Sequence, residues 1–493
     1  MGGTTKVTNT GNFTILNSQL GTTGGTIGSD AFIKLTFGNA NFAALNAFID
    51  NTNGTIGGAG GTVTLQINGT LTVTNRIDVN GKLTSTGSIT AGTLSATDVN
   101  APSITVMAGG ITRFTFPNEI TVNPLHTITT NTLTSDGGIN FNGPDFDTPA
   151  GFGPFAGGQL TINVPSLTFG SAAADNIKGP VTFNGGSNPK NSTAAGSGGV
   201  FTVNATGAIT VGSPIEATSG QRTTPAEPSG DGGTVSLNST GGTISISAPI
   251  TVSSNDVPVA GTPQRKSRSG GTINLQSNAP TGVAINVTNT GQLLSLLDAA
   301  APGQGGKITI LATGTASRIN VTGDPGSAGK PPIDTIRADG TGGYVDIRHT
   351  GDSGAIILNT AQISAEIVKI GALGNNGTLT IGGGRINADT ILKLYAVGSN
   401  GFVNFVSNVL LSGNSMKIIA GNIVTVQNGV VVTVGGPIAD IYVPVLNNAN
   451  YSNFNGGNNS TTGIFIKQSD PSSPGAVSHI GVAPPVFGVP GGP

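Results

Sequence analysis

The amino-acid sequence predicts an all-β protein: a single right-handed parallel β-helix with three short strands per coil. Three observations lead to this prediction: a recurring Gly-Gly element, alternation of apolar and small polar residues after it, and regular spacing between copies. The stretch "GGTVSLNSTGGTISISAPITVSS", residues 232–254, contains the element and its alternation twice. A period of two residues places the apolar side chains on one side of each strand.

The Gly-Gly element recurs along most of the chain. Copies begin at Gly60, Gly157, Gly198, Gly232, Gly270, Gly305 and Gly342, with a variant, "NGTLTI", at Asn376. From Gly157 to Asn376 the successive spacings are 41, 34, 38, 35, 37 and 34 residues, and beyond Asn376 they fall to 24 and 22. One such unit cannot enclose a core, but stacked units bury a continuous one. The spacing therefore predicts stacked coils.

The stacked coils are predicted to form a shaft over residues 57–443. The right-handed sense is expected because parallel crossovers are nearly always right-handed. Polar, Pro-rich stretches, "GQRTTPAEPSGD", "VAGTPQRKSRS" and "DPGSAGKPP", interrupt it at similar phases and are predicted to project from one edge. Corner asparagines such as Asn400 and Asn422 tolerate left-handed backbone and are expected to form side-chain ladders between coils.

The N-terminal residues, 1–56, are predicted to cap the shaft, because an uncovered end of a β-helix exposes unpaired backbone groups. A short helix is expected over 41–51 in this cap. Phe42, Leu45 and Ile49 have the i, i+3, i+7 spacing of one helix face, and Asn41 is a suitable N-cap.

The repeat pattern stops after Val443, and residues 444–493 are predicted to be a loop-rich tail or connector. Its apolar pieces, "GIFIKQ" and "PPVFGVP", either fold back on the last coil or dock on the next molecule. Earlier in the chain, "QLLSLLDAA" at 292–300 fits a short helix or a buried strand, and periodicity does not decide between them.

Composition excludes several classes of function. Charged residues make up 9% of the chain and the net charge is −2, so the chain lacks the excess positive charge that nucleic-acid binding requires. There is no Trp and no Cys, and the absence of Cys excludes thiolate metal sites, disulfides and a Cys nucleophile. No apolar run is long enough to span a membrane, and no signal peptide is visible, so neither membrane insertion nor an export route is predicted.

No catalytic, cofactor-binding or metal-binding residue is predicted, and no cofactor is expected. His126, His349 and His479 are far apart in sequence and lack metal-ligand spacing. Asp145 and Asp147 supply too few oxygen ligands to bind Ca²⁺, so the stretch that contains them is interpreted as a turn.

The sequence "GDSG" at 351–354 is similar to a serine-protease nucleophile loop. A protease of that kind also needs a His and an Asp in matching motifs, and the chain has neither. The stretch is therefore interpreted as a coil corner.

The richest charged region is 334–352. It contains Asp334, Arg337, Asp339, Asp346, Arg348, His349 and Asp352. Asp346 and Arg348 are two residues apart on a predicted strand and so share its outer face. This arrangement favours either a surface ion pair of little energetic weight or the acid-and-arginine face of a polysaccharide-cleaving β-helix.

The Gly-Gly-Thr coils, the Ser/Thr/Asn surface and the absence of Cys resemble the filamentous-haemagglutinin-like class of secreted bacterial adhesins over roughly residues 57–443. The secretion-domain "NPNG" element of that class is not present. The resemblance implies an extracellular, cell-surface rod. We expect a non-enzymatic structural or adhesive protein that assembles head to tail into a filament, with a glycan or a host or cell-surface receptor as a further partner. The alternatives are a carbohydrate-active enzyme and, more remotely, an ice-binding solenoid.

Overall fold

The computed structural model describes fourteen segments of the chain: residues 32–42, 44–47, 62–113, 125–145, 155–187, 195–220, 230–254, 269–297, 305–324, 334–435, 438–443, 454–455, 463–468 and 479–481. Every regular element in these segments is a β-strand, and there are 35 of them. Adjacent strands pair in parallel almost throughout. The predicted fold class, an all-β parallel β-helix with three strands per coil, is therefore confirmed, while its right-handed sense stays a prediction.

The chain divides into two compact units. The first contains Met1–Ser236 and Ser254–Arg265, and the second contains Leu237–Ser253 and Lys266–Pro493. Strand β16 (Thr234–Ser239) contributes residues to both units. The prediction of one shaft over 57–443 stays a prediction.

In its described residues the first unit contains fifteen complete strands. They are β1 (Phe32–Phe37), β2 (Ala40–Phe42), β3 (Leu45–Ala47), β4 (Thr62–Ile67), β5 (Leu71–Ser85), β6 (Ser88–Thr112), β7 (Leu125–Ser135), β8 (Ile139–Asn140), β9 (Gln159–Val164), β10 (Leu167–Gly170), β11 (Ile177–Lys178), β12 (Val181–Thr182), β13 (Val200–Ala205), β14 (Ile209–Val211) and β15 (Ile215–Glu216). Each coil stacks on the next in parallel: β13 lies on β9 with Phe201 opposite Leu160, and β15 lies on β12 with Ile215 opposite Val181.

The second unit contains the remaining strands. They are β17 (Ile244–Ile246), β18 (Ile250–Thr251), β19 (Thr272–Ser277), β20 (Gly282–Val287), β21 (Leu293–Ser295), β22 (Lys307–Ala312), β23 (Ser317–Thr322), β24 (Ile336–Ala338), β25 (Tyr344–His349), β26 (Ala355–Ala372), β27 (Thr378–Ala396), β28 (Phe402–Ser412), β29 (Ser415–Ala420), β30 (Ile423–Val426), β31 (Val432–Gly435), β32 (Ile438–Val443), β33 (Phe454–Asn455), β34 (Gly463–Gln468) and β35 (His479–Gly481). Here β26 pairs with β25 and then β27, with Lys369 opposite Asp346 and Lys393 opposite Lys369.

The core of each unit is lined by the apolar residues of the alternating pattern. In β13, Phe201 and Val203 are fully buried, whereas Val200 and Thr202 beside them are half-exposed. In the second unit, Ile308 and Ile310 of β22 are buried in the same way. Burying apolar surface at each coil stabilises the stack by roughly 25 cal/mol per Å² removed from water.

Asparagine side chains link successive coils, as the sequence predicts. The Asn204 amide donates to the Asn163 side-chain oxygen at 3.0 Å, and that of Asn400 donates to Asn376 at 2.8 Å. The left-handed corner asparagine in the described residues is Asn376, with φ of 54°, rather than Asn400 or Asn422. The ladder is thus confirmed, and the left-handed backbone lies one coil earlier than Asn400.

One corner of the second unit is a column of glycines from consecutive coils. We call these residues, Gly314, Gly351, Gly374, Gly398 and Gly421, the glycine column. A Cβ atom on any of the last four would collide with the carbonyl oxygen of the glycine one coil earlier. None of the five has a positive φ, so the requirement is for close approach and not for unusual backbone.

The predicted N-terminal helix is wrong in the described residues between 41 and 47. Asn41 and Phe42 end β2, and Leu45 begins β3; residues 48–51 lie outside the described residues. Phe42 and Leu45 are nevertheless both buried. A chain that bends between two short strands turns positions three residues apart toward the same core, so the spacing fits a coil corner as well as a helix face.

Two segments left open by the sequence are strands. Within 292–300, Leu293–Ser295 forms β21 and pairs with β24 in parallel. The tail piece "GIFIKQ" is β34, which lies in parallel on β32 of its own chain. The short strand β35 then pairs with β34 in the antiparallel direction, which ends the parallel series there. The piece "PPVFGVP" lies outside the described residues.

The Pro-rich stretches lie almost wholly outside the described residues, and along the chain they follow strands at two different positions in the coil. Residues 221–229 follow β15 and residues 255–268 follow β18, the third strand of each coil, whereas residues 325–333 follow β23, a second strand. Their projection from one edge stays a prediction. In the part of the chain that the structure describes, no helix is long and apolar enough to cross a membrane.

Candidate functional site

The outer face of one sheet in the second unit carries a row of lysines, one from each of three consecutive coils. Lys369, Lys393 and Lys417 occupy equivalent register positions on β26, β27 and β29, and we call them the lysine column. The residues on both sides of each lysine in the strand are buried: Val368, Ile370, Leu392, Leu394, Met416 and Ile418. Strand alternation therefore directs the three lysine side chains outward.

An aspartate stands in register at each end of the lysine column. Asp346 of β25 pairs with Lys369, and Asp440 of β32 pairs with Lys417. Among the described residues, no carboxylate oxygen forms an ion pair within 4.0 Å of Lys393 or Lys417. Like charges directly opposite each other on neighbouring strands are destabilising, so the cost falls on Lys393, which has a lysine in register on both sides.

A compact polar cluster flanks the column on β25. The Tyr344 hydroxyl donates to Asp346 Oδ2 at 3.1 Å, and Arg348 Nε lies 3.0 Å from the same oxygen. Asp346 is only 4% exposed, although strand alternation places it on the outer face. Of the two interpretations left open, the surface ion pair fits Arg348, whose side chain is 39% exposed, but does not fit the buried carboxylate of Asp346.

Two tyrosines add aromatic surface to this face. Tyr344 has the Lys369 ammonium 5.0 Å from its ring centre, and Tyr395 lies over Gly371, where a Cβ would collide with its ring. Burial and the neighbouring Asp346 charge raise the pKa of Tyr344 to about 12. Burial also raises the pKa of Tyr395. Both phenols are protonated at neutral pH, and the face combines aromatic rings, hydroxyl donors and positive charge.

An ion-paired group formed by other charged residues of 334–352 lies on β24 and its flanks. Arg337 Nε lies 2.7 Å from Asp339, and its Nη1 lies 3.3 Å from Asp334. The arginine side chain is 41% exposed, so water screens these pairs and each contributes little to stability. The sequence pattern indicated this group, whereas the lysine column was missed.

His349 points into the core rather than toward the other charged residues. It is fully buried, and its Nε2 lies 2.8 Å from the Ser317 hydroxyl. That hydroxyl also donates to the Gly314 carbonyl at 3.0 Å, so Nε2–H donates to the serine. The serine hydroxyl therefore donates its proton to the backbone and not to the histidine. The pair joins two coils and does not form a nucleophile with its base.

Burial lowers the pKa of His349 below its ordinary value of 6.5. The unfolded chain therefore takes up a proton at this side chain at a higher pH than the folded protein does. We expect the free energy of unfolding to fall as pH drops from 7 to 5, with a slope of at most about 1.4 kcal/mol per pH unit from this residue.

Chemical denaturation of the parent chain and of His349→Gln at several pH values measures this effect. The slope between pH 7 and 5 should be shallower in His349→Gln than in the parent. An unchanged slope in His349→Gln would show that His349 does not titrate differently on unfolding.

The two acidic motifs that the sequence singled out serve as coil connectors. In "GDSG", Gly351 belongs to the glycine column and the Asp352 carboxylate accepts the Asn375 backbone N–H at 2.9 Å. The interpretation of this stretch as a coil corner is confirmed. Asp145 accepts the Ser187 backbone N–H of the next coil at 2.7 Å, while Asp147 lies outside the described residues.

The two other histidines lie on strands that carry none of the column lysines. His126 of β7 is buried with its ring against the edge of Phe141, at 4.8 Å between ring centres. His479 lies in β35. Within the fourteen described segments, no group of three or more His, Cys, Asp or Glu could hold a metal ion.

Comparison of the chain with protein-family models, with curated proteins and with solved structures gave no match. The interest of the lysine column therefore rests on its geometry alone. Its signal was present in the sequence, since its members are spaced at 24 residues, which is also the spacing of the coils there.

Proposed function

We propose that this protein is a non-enzymatic extracellular structural or adhesive protein, a cell-surface rod of the kind found among filamentous-haemagglutinin-like secreted bacterial adhesins. The observation that carries the proposal is that aspartate, serine and histidine side chains form hydrogen bonds between coils. Asp145, Asp352 and the Ser317–His349 pair all bond neighbouring coils. These four side chains, which could perform acid–base or nucleophilic chemistry elsewhere, thus hold neighbouring coils together here.

A carbohydrate-active enzyme is the second candidate, and one observation favours it. Asp346 Oδ1 is buried and has no hydrogen-bond partner among the described residues, close to two protonated tyrosines. An unpartnered buried carboxylate oxygen is costly and is found at functional sites more often than elsewhere. A cleaving enzyme would place its substrate over the same face.

Assembly into a head-to-tail filament is part of the proposal. Residues 463–468 already pair with β32 of their own chain, so the connector we propose is the apolar piece "PPVFGVP" at 484–490. A contact between this piece and a different surface of the next molecule does not close on itself, and repeated contacts of this kind produce a fibre.

Truncation after Gly481 tests the connector, because it keeps β33 to β35 and removes only residues 482–493. We expect fibres from the full chain at high concentration and single particles from the truncated chain, followed by electron microscopy and sedimentation. The matched variant, Val486→Ser with Phe487→Ser, keeps the full length of the tail and should also abolish fibres. A full chain that stays monomeric at high concentration would reject the filament.

A further inference from the structure

We propose that the lysine column and its flanking tyrosines form a binding surface for a linear acidic polysaccharide. The polymer would run across the strands, over Lys369, Lys393 and Lys417 in turn, with Tyr344 and Tyr395 beside it. This inference rests on the proposed function in one respect only: the polymer is held and not cut.

The first argument is the cost of the arrangement. The chain has only 21 Lys and Arg in 493 residues, yet three of them stand directly opposite one another on consecutive coils. Neutral residues are available for such positions, as the outward-facing pairs Thr161–Thr202 and Asn163–Asn204 demonstrate. Positive charge held at a cost to stability is favourable when a negatively charged ligand neutralises it.

The second argument is the spacing. Neighbouring strands lie about 4.8 Å apart, so the column presents one ammonium group per coil at this interval. That interval is close to the length of one sugar residue in an extended polysaccharide. A polymer bearing one carboxylate or sulfate per sugar can therefore place successive anionic groups against successive lysines, each by a charge-assisted hydrogen bond.

The third argument is the aromatic flank. Tyr344 and Tyr395 are both half-exposed, and each presents a ring beside the column. The Tyr344 hydroxyl already donates to Asp346, so Tyr395 is the tyrosine proposed to donate to the ligand. Sugar rings bury their apolar C–H faces against aromatic rings, and protonated phenols donate to sugar oxygens. A nucleic acid fits this surface less well, because the chain carries a net charge of −2 and offers few rings for base stacking.

The test is a binding titration of the full chain at low salt against four probes: polygalacturonate, dextran sulfate, neutral dextran and single-stranded DNA. We expect binding to the two anionic polysaccharides and none to dextran, and the ratio of the two affinities tells whether carboxylate or sulfate is the preferred group. Replacing all three lysines (Lys369→Gln, Lys393→Gln, Lys417→Gln) should weaken binding by about tenfold or more.

The matched control removes the same charge elsewhere. Lys82 of β5 and Arg318 of β23 are exposed residues on other strands, and Arg385 is exposed on β27 but outside the column register, opposite Gln362 and Leu410. Combined replacement of these three by Gln should change affinity by less than about twofold. Equal losses in both triple variants, no loss in the column variant, or tighter binding of DNA than of either polysaccharide would each overturn the inference. Shortening of the polymer would instead contradict the proposed non-enzymatic function, so the two failures are distinguishable.

Discussion

Replacing Phe201 by Ala is expected to lower the free energy of unfolding by about 3–5 kcal/mol, the usual cost of removing a fully buried phenylalanine. Phe201 is 0% exposed and stacks on Phe183 with ring centres 4.8 Å apart, and it meets the edge of Phe169 at 5.9 Å. The coils above and below are fixed by parallel pairing, so they cannot close the cavity. Denaturant unfolding monitored by circular dichroism measures the change.

The control for this prediction is Val200→Ala on the same strand. Val200 points outward and is half-exposed, so its truncation removes apolar volume without leaving a cavity, and less than about 1 kcal/mol is expected. Similar losses in the two variants would mean that Phe201 is not part of a close-packed core.

Replacing Gly374 by Ala is expected to cost about 3 kcal/mol or to prevent folding of the surrounding coils. The added Cβ would collide with the Gly351 carbonyl oxygen, and backbone cannot swing aside as a flexible side chain does. Hydrogen bonds such as that from the Leu373 N–H to the His349 carbonyl oxygen, at 2.7 Å, hold the two coils together. Overpacking of this kind typically costs about 1–3 kcal/mol, and more where backbone must move.

Gly435→Ala is the matched glycine variant in the same unit. The nearest atom to its added Cβ is Ser412 Cβ at 3.5 Å, which is ordinary contact, so little change in the unfolding midpoint is expected. If Gly374→Ala is as stable as Gly435→Ala, the coils are not packed at the glycine column as described.

The parallel stack was predictable because alternation and spacing are local, repeated signals. "TVSL" and "GGTVTLQI" each indicate which residues face inward, and every copy strengthens the same inference. The helix was mispredicted in the described residues between 41 and 47 because the i, i+3 spacing of Phe42 and Leu45 is shared by a helix face and by a strand corner. The Gly-Gly pairs were evident in the sequence, whereas the glycine column became visible only when the corners were aligned in space.

The candidate site was harder to predict, because its members belong together only through the register of stacked coils. Asp346 and Arg348 were found since they are two residues apart, but Lys369 and Tyr395 belong to strands of later coils. The burial of Asp346 has no local signal in the sequence, because strand alternation places this residue on the outer face. The 24-residue spacing of the lysines could be recognised as a column only once the length of the coils there was known.

The central claim, that this protein holds its ligand rather than cuts it, is tested most directly by the length of the polymer. Polygalacturonate is incubated with the purified chain for an extended period, and its mass is followed by size-exclusion chromatography with light scattering, using the column triple variant as control. The account predicts that the parent chain retains the polymer at unchanged length and that the variant releases it. Progressive shortening by the parent chain, with new chain ends that depend on Asp346, would contradict it.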